Sequence, residues 1–286
     1  GSPTGPPPRH QNPHPCPSPL DEEHRDTLPQ EGLRMKIGII GIGNIGASLV
    51  RKLSAAGHRV TVANSRGPET IEAELLTSGA VAGTAEEAAK DVDVLVLSVP
   101  LSAIPKLAPL VASLPERTTV VDTSNFYPQR DGEGFVPADT VESVWVGEQL
   151  GRPVVKAWNC IGSASLASNG RPSGDPERLA LPVAADREED KKVAMELVEA
   201  TGFTAHDAGT LAESWRQQPG TPCYGTDLSI DALPAALERA ERENAPIRRD
   251  LVVQVFANWL GVGANPDAEW SLGIARSICG GPDLRV

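Results

Sequence analysis

The chain offers little from which to build a metal site or a disulfide framework. Its four cysteines, Cys16, Cys160, Cys223 and Cys279, are widely scattered, and none stands in CxxC or Cys/His ligand spacing. A reducing cytoplasm is therefore the expected setting. Runs rich in Lys and Arg are absent, and the net charge is −12, which argues against nucleic acid and anionic membrane surfaces as partners. No apolar stretch approaches the roughly 20 residues needed to span a bilayer, and the first residues lack the apolar core of a signal peptide.

What is present is a chain of 286 residues with 40% hydrophobic content, enough for one large α/β domain or two small ones. Its most informative stretch is 35–68. A short apolar run, 36–40, leads into Gly41-Ile42-Gly43-Asn44-Ile45-Gly46, then an amphipathic helical pattern over 44–56 and a second apolar run over 59–63. A lone GxGxxG is weak, but strand, glycine turn, helix and second strand together are the context of a dinucleotide fingerprint. Gly41 allows the tight turn, Gly43 lets backbone approach a pyrophosphate, and Gly46 lets the helix pack on the strand. The phosphates would face the helix N-terminus. Gly41 to Gly46 are thus read as cofactor-binding, against the alternative of a glycine-rich turn with no ligand.

A further absence is local. The second strand ends in Asn64-Ser65-Arg66-Gly67, with no acid to receive an adenosine ribose. A carboxylate there would repel a 2′-phosphate, whereas Asn64, Ser65 and Arg66 can contact one, Arg66 with a fixed cationic fork. NADP(H) is expected rather than NAD; the plainer alternative is a solvated loop arginine.

Residues 1–34 are crowded with proline and polar side chains and cannot bury a core, so a disordered tail is expected there. From Met35 strand and helix patterns alternate. Strands are expected at 36–40, 59–63, 80–82, 92–99 and 118–122. Helices are expected at 44–56, 68–77 and 84–90, the last with a Thr84/Glu87 capping box, and at 101–114, interrupted near Pro105 and Pro109. The second half adds helices at 143–150, 163–168 and 188–200 and strands at 154–157, 179–184 and 204–206, read as continuing one sheet. This predicts a doubly wound, mostly parallel α/β sheet of Rossmann-like type over 35–210. A helical extension follows over 211–286, with helix at 211–217 and across 230–260 and a weakly patterned end.

The stretches GIIGIGNIGASLVRKLSAAGHRVTVANSRGPET, DVDVLVLSVPLSAI, VVDTSNFYP, VVKAWNCIG and HDAGTLAES together resemble the NADP oxidoreductase, coenzyme F420-dependent family, which includes 8-hydroxy-5-deazaflavin:NADPH oxidoreductases. The likeness runs from about Met35 to Leu211. It implies a Rossmann-like domain binding NADP(H), with a second redox partner, coenzyme F420 in that family, over the carboxyl ends of the strands. The chain departs from the family in its long stretch before Met35 and in a longer segment from Glu213 onward.

In a doubly wound sheet, ligands lie beyond the strands' carboxyl ends. Ser98, Val99 and Pro100 are expected beside the adenine-side ribose and pyrophosphate, and Asn125 towards the nicotinamide. Asn159 is read as a ligand to the carboxamide or substrate, or equally as a helix cap. For a carbonyl or imine substrate a proton donor is needed, with His206 and Tyr224 the candidates by residue type. Cys160 and Cys223 are weighed as reactive thiols against small buried cysteines, and Trp215 and Arg216 as lining of the second site. Three activities fit: hydride exchange with F420, reduction of a small carbonyl or imine, and a catalytically silent NADPH sensor. The stretch 251–260 is apolar round most of a helix and should be buried on more than one side, by the sheet and by a second copy in a homodimer.

Overall fold

The computed structural model describes residues 1, 2, 5, 34–261 and 267–281. The expectation for 1–34 lies outside these residues but for a few positions. The described chain from Arg34 onward forms one compact unit.

Four strands and two short edge strands build a parallel sheet in the order β3-β2-β1-β4-β5-β6. These are β1 Lys36–Ile40, β2 Arg59–Ala63, β3 Val81–Ala82, β4 Val94–Leu97, β5 Thr119–Asp122 and β6 Val155–Lys156. Near-continuous apolar runs such as VLVL in β4 suit a sheet covered on both faces. Helices α1 (Asn44–Ala55), α2 (Ala85–Ala89), α3 (Ala108–Ala112), α4 (Pro128–Asp131), α5 (Glu142–Leu150), α6 (Ser163–Ser168) and α7 (Glu188–Ala200) flank it. The capping box expected at α2 is formed: Glu87 N donates to Thr84 Oγ1 at 3.2 Å, and Thr84 N donates to Glu87 Oε2 at 2.8 Å.

Three expectations are corrected. The helix expected over 68–77 is two 3₁₀ turns, Pro68–Thr70 and Ala73–Ser78, because Ile71 swings into extended backbone and buries its side chain. The helix expected over 101–114 opens as a 3₁₀ segment, Leu101–Leu107, in which Leu101 and Ile104 are both buried; side chains three apart eclipse in that geometry. The later strands do not continue the sheet. β7 (Ala180–Val183) and β8 (Thr204–Asp207) pair with each other in a separate two-stranded parallel sheet. A single antiparallel bridge, Lys156 to Ala184, links it to β6. Trp158, at φ +55°, turns the chain away just after β6.

Beyond β8 lie a 3₁₀ segment, Leu211–Gln217, and helices α8 (Leu233–Glu238), α9 (Ala245–Leu260) and α10 (Ala268–Ala275), the last running into a π turn, Arg276–Gly280. The weakly patterned end is thus helical as far as it is described. Burial of 251–260 falls short of expectation: Val252, Val253, Val255 and Phe256 are half-buried, while Trp259 is 78% exposed. No helix among the described residues is long and apolar enough to cross a membrane.

Candidate active site

The glycine turn after β1 is built as its sequence requires. Gly41 has φ +106°, and a Cβ there would lie 2.1 Å from the Ser98 carbonyl oxygen. A Cβ on Gly46 would lie 2.1 Å from the Gly41 oxygen, so both positions exclude any larger residue. Gly43 differs: a Cβ there would meet nothing within 4 Å. The turn itself does not need that glycine; the open space above it is what a pyrophosphate would occupy. Gly41 N donates to Ala63 O at 2.8 Å, tying the turn to the end of β2.

Above the strand ends runs a groove of about 380 Å³. Of the residues expected to bind cofactor, Gly43, Asn44, Ile45, Ser98, Val99, Pro100, Asn125 and Asn159 line it. Gly41, Ile42 and Gly46 are not in its lining; Gly41 and Gly46 set the turn beneath it. Asn64, Ser65 and Arg66 lie at the end of β2. There Asn64 Oδ1 accepts from Arg66 N at 2.9 Å, and Asn64 Nδ2 donates to Thr70 Oγ1 at 2.8 Å. Ser65 and Arg66 are exposed, and the Arg66 guanidinium has no ion pair among the described residues. An open backbone cradle and the exposed Arg66 cation suit NADP(H), with the Glu69 carboxylate folded back against Gly67.

A second cavity, of about 260 Å³, adjoins the groove. The two share Tyr127, Gly162, Ser163 and Tyr224. Val252 and Phe256 of α9 and Leu272 and Ala275 of the α10 region form its far wall. At the junction the Tyr127 and Tyr224 hydroxyls lie 2.7 Å apart. They are the only tyrosines in the chain.

Amides hold this pair. Asn125 Nδ2 donates to the Tyr224 hydroxyl at 3.3 Å and to Asn159 O at 2.8 Å. Asn159 Nδ2 donates to Asn125 Oδ1 at 3.1 Å and to Gln217 O at 2.7 Å, and Gln217 Nε2 returns a bond to Asn159 Oδ1 at 2.9 Å. Asn159 therefore makes no helix cap; it fixes Asn125. Beneath them Lys156, fully buried, places Nζ 2.9 Å from Asp122 Oδ2 and donates to Ser124 O.

Burial shifts several protons. It pushes the Tyr127 phenol up to about 12 and the Tyr224 phenol well above its usual value. Glu142 is buried beside them, its Oε2 accepting from Phe126 N at 3.0 Å, and burial raises its carboxyl to about 7 against the pull of Lys156.

Some candidates are not brought to this place. His206, half-buried on β8 and opposite Pro182, lines neither space, so it is removed as a proton donor. Cys160 and Cys223 are buried, and Cys223 Sγ donates to Arg216 O at 3.2 Å. Hydrogen bonding to Cys223 and burial raise the Cys160 thiol, the reverse of a reactive thiolate. Trp215 and Arg216 stack on one another, 4.4 Å from guanidinium carbon to ring centre, away from the second cavity. Tyr127, Arg130, Glu142 and Arg249 were not anticipated. The scarcity of tyrosine was the one available signal for Tyr127.

Comparison with known proteins agrees with this construction. Residues 36–126 match the model of the family described as NADP oxidoreductase coenzyme F420-dependent. The protein YjhV of Escherichia coli (strain K12) is 36% identical over 110 residues, 38% of this chain and 78% of that one. A hypothetical protein of Sinorhizobium meliloti, SMa0349, has a crystal structure 30% identical to the chain. It covers 68% of this chain and 96% of its own, with TM-score 0.59. A candidate F420-dependent NADP reductase from Arthrobacter sp. FB24 shares the fold at 20% identity. It covers 63% of this chain and 87% of its own, with TM-score 0.50.

Proposed function

Since the chain belongs to the coenzyme F420-dependent NADP oxidoreductase family, we propose that it is an NADPH-dependent reductase of a small carbonyl or imine compound. The observation that carries this reading is the tyrosine pair at the junction of groove and cavity. When bound, NADPH supplies the hydride. Tyr224 supplies the proton. Its oxygen accepts from Asn125 and can accept from Tyr127, which leaves its own O–H for a substrate oxygen or nitrogen. Raised phenol pKa values keep both hydroxyls protonated at neutral pH, as a donor requires. Once the proton has left, the same two donors stabilise the phenolate. Asn159 and Gln217 hold Asn125 in register, and the apolar wall from α9 and α10 excludes water.

A second reading, hydride exchange with F420, rests on the family description and on Arg130 and Arg249, cations lining the two spaces that could meet an anionic tail. A silent sensor would have no use for the second cavity. Tyr224→Phe decides between them. NADPH oxidation by carbonyl and imine compounds should fall about 10²–10⁴-fold with NADPH affinity unchanged. Turnover with F420 alone, indifferent to Tyr224→Phe, would overturn the proposal.

A further inference from the structure

The second cavity is apolar apart from hydroxyls, one thiol and one charge. That charge is Arg249; none of the described residues lining the space is Asp or Glu, in a chain of net charge −12. Arg249, Val252 and Phe256 stand at i, i+3 and i+7 on α9 and so form one face towards the cavity.

The Arg249 side chain is only 10% exposed. Its Nε donates to Asp250 Oδ1 at 2.8 Å in an ion pair with that partly exposed carboxylate, and neither terminal nitrogen has a hydrogen-bond partner among the described residues. The Phe126 ring, 5.6 Å from the guanidinium carbon, flanks it. Glu142, on the other side of Arg249, is too far for an ion pair and binds its proton up to about pH 7. The backbone at Arg249 is also packed against the loop that carries the proton donor. Gly220, at φ +90°, packs so tightly on the start of α9 that a Cβ would lie 1.8 Å from Ala245 O and 2.8 Å from Arg249 N. The loop that carries Tyr224 and the helix that carries Arg249 are thereby locked together.

We propose that the substrate is a small carbonyl or imine compound bearing a carboxylate, which the free terminal nitrogens of Arg249 bind as a planar fork. The cavity volume, about 260 Å³, limits the rest of that molecule to a few carbons. This inference rests on the reductase reading, and its test separates the two.

Binding of butanoate and of butanamide to the full chain is measured by saturation-transfer NMR, beside NADPH oxidation with 2-oxobutanoate and butanone. Butanoate should bind the native protein and weaken at least about tenfold in Arg249→Met, the loss of charge-assisted hydrogen bonds. Butanamide should not distinguish the two. Arg249→Lys, which keeps the charge without the fork, should lie between and covers the case in which the Met variant misfolds. Butanoate and butanamide binding alike, or butanoate binding untouched by Arg249→Met and Arg249→Lys, would overturn the inference even if butanone is reduced. Arg249-dependent butanoate binding with no carbonyl reduced would uphold the fork and overturn the reductase reading.

Discussion

The two walls of the cleft are made in opposite ways. The cofactor side is backbone: a glycine turn, strand ends, and side chains fully buried beneath them. The substrate side is side chains on α9 and α10, and there α9 leaves Ile247 67% and Trp259 78% exposed. A backbone-built wall tolerates no added atom at Gly41 or Gly46. A wall of half-buried side chains can change its occupant by substitution. The first suits a cofactor common to a family, the second a substrate particular to one member.

Lys156 tests the rigid side hardest. Its replacement by Met leaves Asp122 buried without a counter-charge, and a broken buried pair costs about 3–5 kcal/mol. Urea denaturation should show a loss of that size, beyond that of any single change in α10. Glu142 comes next. Its folded pKa of about 7 lies above the ordinary carboxylate value, so the folded state holds the extra proton. Stability is therefore greatest below the unfolded value and falls as pH rises towards 7. Glu142→Gln should flatten that fall and raise the melting temperature at pH 8 relative to the native chain.

Cofactor contacts are smaller in energy and sharper in meaning. Arg66→Ala should weaken NADPH by about 1.5–3 kcal/mol and leave NADH nearly unchanged, read by fluorescence titration. Gly43→Ala should keep the melting temperature and lose NADPH affinity, since its Cβ meets only the space reserved for phosphate. If stability falls instead, the turn needs that glycine for itself. The smallest effect on folding is expected at Trp259, where Trp259→Ser should fall within about 0.5 kcal/mol in the isolated chain. Sedimentation at micromolar concentration then tests the homodimer. A dimer that Leu251→Asp and Trp259→Ser dissociate supports it, and a native monomer removes it.

The same contrast governs what could be read in advance. β1, α1, β2, α2 and α7 were legible because their signals are local: three glycines at fixed spacing, a capping box, unbroken apolar runs. The 3₁₀ turns at 68–78 and 101–107 were missed because burial of Ile71, Leu101 and Ile104 in the tertiary core decides them. The separate β7–β8 sheet was missed because Trp158 turns the chain through a backbone angle its residue type disfavours. At the site, Asn125 and Tyr224 are 99 positions apart, and no periodicity reaches so far. Arg249 stands just before the apolar stretch 251–260 and belongs to no local motif.

Because the chain's two tyrosines both stand at that junction, the protein carries a spectroscopic label confined to its cleft. Biosynthetic incorporation of fluorotyrosine would give a fluorine spectrum of two lines, with no background from the rest of the molecule. Cofactor entering from one side and substrate from the other would each perturb the same two nuclei, so the order of binding could be followed without assigning another resonance.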